Sequence, residues 1–475
     1  MEKAKKKTIA ISSFHTLISR NILRSGLLEE LQGRVNIVIF CPQHKKDFFK
    51  NEFAGEHVSV VGVPGVSLSR RERVARTIGA ALLPTSTIQF KKKAKYWRDK
   101  KRIHYIFSLA LLSTIARLKH TPILFRRLFS SLYDQDIFGA FFQAYQPDLV
   151  FSTDVLDWND VRMLKEAKAH GIKTVGMVRS WDNLSNKSLV PVAADSFLVN
   201  NDFTKKELVE FHNIRFKDIT VVGMPQFDYY IGYQPTGRKK FFEKLGFDPG
   251  RNIIMFAPMG NKFIETDWQM LQLLHDKIYV GDIHGSPQIL VRFPPGDDFR
   301  RDQLRLSDRV NIYFDKPGTA FQSEKRKDNE LGREDMIHLA DSLFYSDVLV
   351  NAGSSLCIDI AAFDRPIIYP EFDGGTDAPY FRSVRHFPEY HHYKHLVMNN
   401  ACKNVSSPEE LVVWVNRYVA DPSLHREERR ALVRAHCSKH DGKAHTRIAS
   451  VLLQMLENGF SAAPSSVLYS NKQYD

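Results

Sequence analysis

Apolar strand-like runs alternate with helical stretches along most of the chain, and this alternation starts twice. Seven such runs come before residue 225, beginning with residues 8–12, and a polar stretch with Gly and Pro follows at 236–250. A second series then begins at residues 252–257. Buried strands separated by helices of ten or more residues form parallel sheets through βαβ units. Since 475 residues are also too many for one compact core, we predict two α/β domains.

The restart of the pattern sets the expected domain boundaries. We predict an N-terminal domain at 1–235 with a basic helical insertion at 66–135, a C-terminal domain at 236–440, a closing helix at 441–458 and a flexible tail at 459–475. The predicted strands are residues 8–12, 35–41, 58–63, 147–153, 173–178, 196–200 and 219–222 in the first domain, and 252–257, 288–293, 310–314, 348–351 and 366–369 in the second.

The net charge of +13 is concentrated in one segment. Between Arg70 and Arg127 the chain has 16 lysines and arginines but only two acids, Glu72 and Asp99, and the remainder is close to neutral. Apolar and aromatic residues, among them Trp97, are interleaved with these charges. Basic amphipathic stretches with aromatic anchors are typical of proteins that contact an anionic membrane surface, which is our hypothesis for residues 70–127. A nucleic-acid surface and a merely solvated helical face are the alternatives, and no nucleic-acid motif accompanies the segment.

The cysteines and the apolar segments favour a cytoplasmic protein. The four cysteines are scattered, with no CxxC pair and no zinc spacing, which is typical of buried thiols in a reducing compartment. The basic start of the chain is not followed by a signal-peptide core, and the longest apolar stretch, 106–112, is too short to span a bilayer. We therefore expect a cytoplasmic location, with peripheral contact at the inner face of the membrane.

Residues 342–373, which read SLFYSDVLVNAGSSLCIDIAAFDRPIIYPEFD, resemble a segment of CDP-glycerol glycerophosphotransferase-like polysaccharide-synthesis enzymes. In both, an apolar strand leads to a Ser-Ser turn, a helix with an early Asp and a strand that ends near an acid. Residues 221–228 (VVGMPQFD) and 441–448 (DGKAHTRI) are similar to the inter-domain segment and the closing-helix start of such enzymes. The resemblance covers roughly residues 195–455 and implies a GT-B-like fold, with two Rossmann-like domains that face a cleft.

Two departures from that family affect the expected substrate. Its members usually have a His-Gly pair after an N-domain strand, where this chain reads RSWDNLSNK at 179–187. Their His-Pro pair in the second C-domain strand is replaced by Phe293-Pro294. These differences favour a related transferase that uses another donor, so we predict transfer of a sugar or sugar-like group from a nucleotide-activated donor.

Polar and glycine-containing loops follow the strands of the C-terminal half. Carboxyl ends of parallel strands border the ligand crevice, so we expect these loops to bind the phosphates and ribose of the donor. The local alternatives are helix capping by the serines, a nearby Asp as the partner of Arg292, and turn capping by the acids. Asp359, by contrast, is interpreted as a first-turn acid that stabilises its helix. The predicted donor-binding residues are Gly260, Asn261, Lys262, Arg292, Gly353, Ser354, Ser355, Glu371 and Asp373.

A second group of polar residues follows strands of the N-terminal half and should face the same cleft. Attack by an acceptor hydroxyl needs a base that takes its proton. Asp182 is the first candidate, with His15 and Asp154 as further candidates, and a capping or surface role is the alternative for each. The predicted acceptor-binding residues are Arg179, Trp181 and Asn183.

A histidine cluster, His391, His392 and His395, raises the possibility of a metal site. Because no acid or Cys lies at a convincing ligand spacing, and because the GT-B resemblance implies protein cations and helix dipoles in place of a metal ion, we expect neither a metal nor another cofactor.

The leading functional hypothesis is a GT-B-type glycosyltransferase that acts on a cell-surface polysaccharide or lipid-linked acceptor. Its partners would be a nucleotide-sugar donor, the glycan or lipid-linked acceptor and the anionic membrane surface. A CDP-glycerol-type glycerophosphotransferase and a non-hydrolysing sugar-nucleotide 2-epimerase are the enzymatic alternatives, although an epimerase would need neither an acceptor nor membrane contact. A basic surface-binding protein on the same scaffold is the non-enzymatic alternative.

Overall fold

Two parallel sheets, each flanked by helices, organise the chain. The computed structural model describes residues 6–133, 135–261, 263–322, 328–376, 378–397 and 400–458. The tail predicted at 459–475 lies outside these residues. Both sheets are built from continuous apolar runs, as expected for strands that are covered on both faces.

The N-terminal sheet has seven parallel strands in the order β3-β2-β1-β4-β5-β6-β7. Its strand positions agree with the seven predicted runs. The direction of strand addition reverses between β1 and β4, which are hydrogen-bonded neighbours. The strands are β1 Thr8–Ser12, β2 Asn36–Pro42, β3 Val58–Val63, β4 Leu149–Ser152, β5 Lys173–Met177, β6 Ser196–Val199 and β7 Ile219–Val221.

The C-terminal sheet has six parallel strands in the order β10-β9-β8-β13-β14-β15, so its reversal lies between β8 and β13. Its last strand, β15, was not predicted, because this short edge strand includes the polar pair Lys403 and Asn404. β11 and β12 form a separate antiparallel pair. The strands are β8 Ile253–Ala257, β9 Gln288–Arg292, β10 Ile312–Asp315, β11 Thr319–Ala320, β12 Asn329–Glu330, β13 Val348–Asn351, β14 Ile367–Pro370 and β15 Cys402–Val405.

The α-helices connect the strands and cover both sheets. In the N-terminal half they are Thr16–Ile18, Leu27–Leu31, Lys46–Phe53, Arg70–Ala81, Ser86–Arg98, Arg102–Arg117, Thr121–Leu132, Gly139–Tyr145, Trp158–Ala169, Asn183–Asn186 and Asp202–His212. In the C-terminal half they are Arg238–Leu245, Asp267–Tyr279, Arg333–Tyr345, Leu356–Ala362, Lys394–Val397, Pro408–Ala420, Arg426–Cys437 and Ala444–Asn458.

The first helical stretch, predicted as continuous over 17–31, is interrupted. A π-helical segment, Ser19–Leu23, follows its first turn, and Gly26 has φ 100°. A Cβ atom at Gly26 would lie 3.0 Å from the His445 ring, so glycine lets the closing helix approach here. The prediction was wrong on continuity because this contact comes from a residue distant in sequence.

The basic insertion consists of four helices between residues 70 and 132. Its first helix, Arg70–Ala81, begins with a capping box formed by Ser69 and Glu72. Glu72 also accepts bonds from Arg162 Nε at 2.7 Å and Nη2 at 2.8 Å, and both side chains are buried. One of the two acids in this segment therefore anchors the insertion to the N-terminal domain.

The two halves are joined at several points. The closing helix Ala444–Asn458 buries Ile448 and Leu452 in the core of the N-terminal sheet. On the other side, Lys45 of the N-terminal half and Glu330 of β12 form a buried ion pair. Among the residues that the structure describes, none of the helices combines the length and the apolar character needed to cross a bilayer.

Candidate active site between the two sheets

Loops that follow the central strands of both sheets form the candidate site. In open parallel sheets, a crevice opens where the strand order reverses, because the loops on either side diverge. At the β1/β4 reversal, these loops hold His15 and Asp154, and at the β8/β13 reversal they hold Gly260, Asn261 and the turn 353–355. Lys262, another predicted donor residue, lies outside the described residues.

The turn after β13 is folded around its own polar side chain. Asn351 Oδ1 accepts from the backbone N–H of Gly353 at 2.9 Å and of Ser354 at 2.6 Å. Gly353 has φ 88°, and the Tyr393 ring occupies the space that a Cβ atom would need. These N–H groups are therefore engaged within the turn, and Gly353 is needed for packing. Ser355 is exposed, which makes its hydroxyl the group of this turn best positioned for a ligand.

The loop after β8 has acidic surroundings. Gly260, with φ 89°, donates its N–H to Asp267 Oδ2 at 2.8 Å, and the Asp297 carboxylate lies where a Gly260 side chain would begin. Burial raises the pKa of Asp267 to about 7, and the charge of Asp297 acts in the same direction. Asn261 is exposed and donates its backbone N–H to the Asp298 carbonyl at 3.2 Å. A phosphate contact at Gly260 or Asn261 stays a prediction, and ionised Asp267 would oppose it.

Arg292, at the end of β9, has a local acidic partner. Its Nη1 forms an ion pair with Asp315 of β10, and His338 Nε2 lies 3.2 Å from the same carboxylate. Burial alone would raise the pKa of Asp315, but Arg292 and His338 outweigh it and lower the pKa to about 2. A donor phosphate and a nearby Asp were the two predicted partners of Arg292, and the structure contains the Asp.

The two acids after β14 make structural contacts. Asp373 is 2% exposed and accepts from Thr266 Oγ1 at 3.0 Å and from the Val384 N–H at 3.2 Å. Glu371 accepts from Asn404 Nδ2 at 2.7 Å on the neighbouring edge strand. The contacts of Asp373 hold neighbouring loops together, which agrees with the alternative of a structural capping role. A ribose contact for either acid stays a prediction.

The loops around the β8/β13 reversal leave a small cavity between them. A cavity of about 10 Å³ lies between the surrounding loops, roughly the room of one water molecule. Thr266, Asp267, Ala352 and Asp373 contribute to its walls. This cavity is too small for a nucleotide.

Charged side chains are paired on the N-terminal side of the cleft. Arg179 Nε donates to Asp154 Oδ2 at 2.7 Å, and Lys187 Nζ lies 3.7 Å from the same oxygen. Burial alone would raise the pKa of Asp154, but the charges of Lys187 and Arg179 outweigh it and hold the pKa well below its usual range. Asp154 is thus a stable carboxylate held between two cations.

Asp182 is similarly stabilised as an anion. Its oxygens accept from Ser180 Oγ at 2.5 Å and from Asn186 Nδ2 at 3.1 Å. Burial alone would raise the pKa of Asp182, but the influence of His392 and Lys187 and these hydrogen bonds hold it well below its usual range.

The structure buries two of the three predicted acceptor-binding residues. Trp181 packs edge-on against His392, with ring centroids 4.9 Å apart, and belongs to the core cluster of the C-terminal half. Asn183 is also buried, and neither of its side-chain polar atoms forms a hydrogen bond with a residue that the structure describes. Trp181 therefore joins the two halves, and acceptor contacts for Trp181 and Asn183 stay predictions.

His15 follows β1 and begins the helix Thr16–Ile18. Its Nδ1 accepts from the Leu17 N–H at 3.2 Å, which fixes the ring orientation. Its charge is one of the influences that lower the pKa of Asp154, so the two side chains lie within electrostatic range of each other. The structure brings these two candidates together at the β1/β4 reversal.

Sequence reasoning missed a polar cluster that joins the two halves. Tyr230 donates its hydroxyl to Asp359 Oδ1 at 2.7 Å, and both side chains lie within electrostatic range of Arg20 and Arg292. Burial raises the pKa of Asp359, partly offset by Arg20. Arg20 was not singled out from the sequence, because it falls within a stretch predicted as a continuous helix. In the structure it lies in a π-helical segment, and such segments are frequent at functional sites.

Solved structures with the same architecture confirm the predicted fold. UDP-GlcNAc 2-epimerase from Neisseria meningitidis, solved with UDP-GlcNAc, has a TM-score of 0.53 at 11% identity over 94% of this chain and all of that one. A glycosyltransferase from Rickettsia africae has a TM-score of 0.50 at 11% identity over 96% of this chain and all of that one. At such low identity the similarity shows the fold alone, which is two α/β domains in a GT-B-like arrangement.

Sequence comparisons identify the family. The teichoic acid ribitol-phosphate polymerase of Staphylococcus aureus is 22% identical over 219 residues, which is 42% of this chain and 34% of the polymerase. The chain thus matches about a third of the length of that relative. The sequence profile of CDP-glycerol:poly(glycerophosphate) glycerophosphotransferase matches residues 165–454, more than half of the chain. The chain therefore belongs to the CDP-glycerol:poly(glycerophosphate) glycerophosphotransferase family.

Proposed function

We propose that the protein transfers an alditol phosphate, such as glycerol phosphate or ribitol phosphate, from a CDP-activated donor to a hydroxyl of a growing cell-wall polymer. The family match over residues 165–454 carries this proposal, because that range includes the loop after β5, the turn after β13 and Asp359. The predicted sugar donor gives way to the alternative of glycerophosphate transfer. The chain lacks the His-Gly and His-Pro pairs that are usual in this family. The family match over more than half of its length is the stronger evidence for the kind of donor.

The proposed reaction is a displacement at phosphorus. The acceptor hydroxyl oxygen attacks the phosphorus that carries the alditol, and the bond from this phosphorus to the oxygen bridging to CMP breaks. CMP leaves with that oxygen, and the hydroxyl proton passes to a base. Catalysis of this kind needs cations near the phosphoryl oxygens and a group that accepts the proton.

His15 is our candidate base. A carboxylate whose pKa is well below its usual range is a weak proton acceptor near neutral pH, which disfavours Asp154 and Asp182. Histidine side chains take up and release protons near neutral pH. Because Nδ1 of His15 accepts from the Leu17 N–H, the neutral ring carries its proton on Nε2, so His15 takes the acceptor proton only when Nδ1 leaves this contact. We assign Asp154 the role of favouring the imidazolium that forms when His15 takes the proton.

Cations from both halves are our candidates for contacts with the donor phosphates. Arg20 comes from the N-terminal half and Arg292 from the C-terminal half, and both act electrostatically on Asp359. Arg179 and Lys187, which flank Trp181 in sequence and both contact Asp154, are further candidates, and Ser355 adds an exposed hydroxyl. In this proposal the diphosphate lies between these groups, and the acceptor approaches from the His15 side.

Nucleotide affinity tests the donor assignment. Calorimetric titration with CMP, UMP and GMP should give a dissociation constant for CMP that is at least about tenfold lower than for the others. A clear preference for UMP would favour a sugar-nucleotide enzyme, including the epimerase alternative.

We also propose that the basic insertion contacts an anionic membrane surface, where a lipid-linked acceptor would be found. The helix Arg102–Arg117 presents large apolar side chains to solvent, with Ile103 80% and Phe107 71% exposed, and Ile106 and Leu111 are exposed beside them. Arginines and lysines flank this helix on both sides. Exposed apolar residues next to concentrated positive charge fit an anionic bilayer interface better than bulk water.

Sedimentation with phosphatidylglycerol vesicles tests this surface. The protein should pellet at low salt and be released in part at high salt, since the electrostatic attraction is screened. The double variant Ile103→Asp/Phe107→Asp should stay in the supernatant, whereas Val413→Asp, a control at another exposed apolar position, should pellet like the wild type. A wild-type protein that does not pellet at low salt would refute the membrane proposal and leave the transfer reaction unaffected.

A further inference from the structure

Three potential metal ligands from the two halves of the chain converge on one point. Glu207 lies on the helix Asp202–His212, whereas His391 and His395 lie on the turn His391–Tyr393 and the helix Lys394–Val397 that follows it. One ligand atom of each residue lies within 4.8 Å of the other two. Ligand atoms at roughly 2.1 Å from a tetrahedral metal ion are separated by roughly 3.4 Å, so a small inward movement would close this site.

The packing of one helix face holds these side chains together. Phe203, Glu207 and Phe211 are spaced four residues apart and therefore share one face of their helix. The Phe203 ring stacks on His395 with centroids 4.3 Å apart, and the Phe211 ring meets His391 edge-on at 5.3 Å. The two aromatic contacts position both imidazoles beside the carboxyl group between them, which gives the pre-organisation that a metal site needs.

Glu207 has few contacts for a buried carboxyl group. It is 4% exposed, neither oxygen has a partner within hydrogen-bond geometry among the described residues, and the Ser185 hydroxyl is a nearby donor that favours its charged form. His391 Nε2 lies 3.4 Å from Glu207 Oε1. Ionising a buried carboxyl group with so few polar contacts is unfavourable, and a bound cation would stabilise the ionised form.

Charged side chains of both signs surround the three potential ligands. Lys206 and Lys394 nearby oppose a cation, whereas Glu210 and Asp182 favour it. The surrounding charges are therefore nearly balanced, and the ligands themselves decide the affinity.

We propose that Glu207, His391 and His395 bind a first-row divalent cation, with zinc as the expected occupant, which bridges the N-terminal helix Asp202–His212 to the C-terminal segment 391–397. Two imidazoles, one carboxylate and a water molecule form a four-coordinate set that zinc accepts. The segment 391–397 also contains Tyr393, which packs against Gly353, so the cation would fix the segment that closes over the candidate donor turn. The sequence argument against a metal depended on the lack of a nearby acid, and Glu207 supplies one from 184 residues away.

Zinc binding to the full-length chain tests this proposal directly. Chelator-treated protein is titrated with Zn²⁺ against a competing chromophoric chelator, and one ion per chain is expected. Glu207→Gln and His395→Ala should each weaken binding by at least about tenfold. His284→Ala, a control at an exposed histidine in a different loop, should bind like the wild type.

Two further measurements keep the test independent of variant stability and of activity. Zinc should raise the Tm of the wild type with increasing concentration but not that of Glu207→Gln. Cobalt in the wild type should give the strong visible absorption of a four-coordinate ion with nitrogen and oxygen ligands. Absence of zinc binding and of this absorption in the wild type, or equal binding by the folded Glu207→Gln variant, would overturn the proposal.

Discussion

Lys45 and Glu330 form an ion pair across the two halves of the molecule, with Nζ 2.9 Å from Oε1 and side chains 1% and 2% exposed. Ser19 donates its hydroxyl to the other Glu330 oxygen at 2.5 Å, so both oxygens of the carboxylate are used. β12 thereby docks on the first helices of the N-terminal half, beside the π-helical segment that contains Arg20. This contact therefore joins the two halves close to Arg20.

Removing one member of this pair should destabilise the protein strongly. Lys45→Met leaves the Glu330 carboxylate buried without its cation, which typically costs about 3–5 kcal/mol. The urea midpoint of unfolding, followed by circular dichroism, should fall accordingly, and Lys45→Met/Glu330→Gln should recover part of the loss. Lys239→Met, which removes an exposed pair with Glu243, should change the midpoint little. A loss no larger than that of this control would contradict the described contact.

The stability of the C-terminal half should depend on pH through Asp267. Its pKa is raised by burial from 3.8 to about 7, so the folded protein binds the proton more tightly than the unfolded chain does. This contribution to stability is fully present below about pH 4, decreases as the pH rises, and is lost above about pH 7. Its size is on the order of 4 kcal/mol.

Asp267→Asn provides the matching measurement for this pH dependence. The amide oxygen can still accept from the Gly260 N–H, but the side chain no longer titrates. The difference in urea midpoint between the wild type and Asp267→Asn should therefore change between pH 4 and pH 7 in favour of the variant. A constant difference over this range would show that Asp267 titrates normally.

Ser355 should contribute to donor affinity without contributing to stability. Its side chain is exposed, whereas the Ser354 hydroxyl accepts from the Leu356 N–H at 3.3 Å and so caps the turn. Ser355→Ala should raise the KM for the CDP-activated donor by about tenfold or more, the effect expected for a hydrogen bond to a charged group, and leave Tm unchanged. Ser354→Ala should lower Tm as well. An unchanged KM for Ser355→Ala would remove this residue from the donor site.

His15→Asn should separate catalysis from folding. Asparagine can still cap the helix Thr16–Ile18 but cannot act as the base. The value of kcat should fall by about 10²- to 10⁴-fold while the affinity for CMP stays the same. His170→Asn, at an exposed histidine, serves as the control. If His15→Asn retains kcat, one of the two carboxylates must take the proton despite its low pKa.

Regular apolar runs made the sheets predictable, and contacts between distant segments made the rest unpredictable. Strands such as β8 and β13 are fully buried, so their sequences are continuous apolar runs. β15 escaped prediction because it is an edge strand with Lys403 and Asn404, and the helix break at Gly26 depends on His445.

The same distinction applies to the candidate site. The reversal points brought His15, Asp154 and Ser355 to the expected edges of the sheets. Sequence position could not reveal that Asn351 would engage the N–H groups of its own turn, and it left open whether Arg292 would pair with a nearby Asp, which the structure identifies as Asp315. Glu207 and the two histidines are likewise joined only by the fold.

Donor turnover is the most direct test of the central claim, which is that this cleft transfers an alditol phosphate. The protein is incubated with a short poly(glycerol phosphate) primer and, in separate reactions, CDP-glycerol, CDP-ribitol or UDP-GlcNAc, and nucleotide release and primer length are followed together. Our account predicts CMP release from a CDP-alditol with one unit added to the primer per CMP, and a large loss of both with His15→Asn. Reaction of UDP-GlcNAc alone, or no CMP release by folded protein with either CDP-alditol, would contradict it.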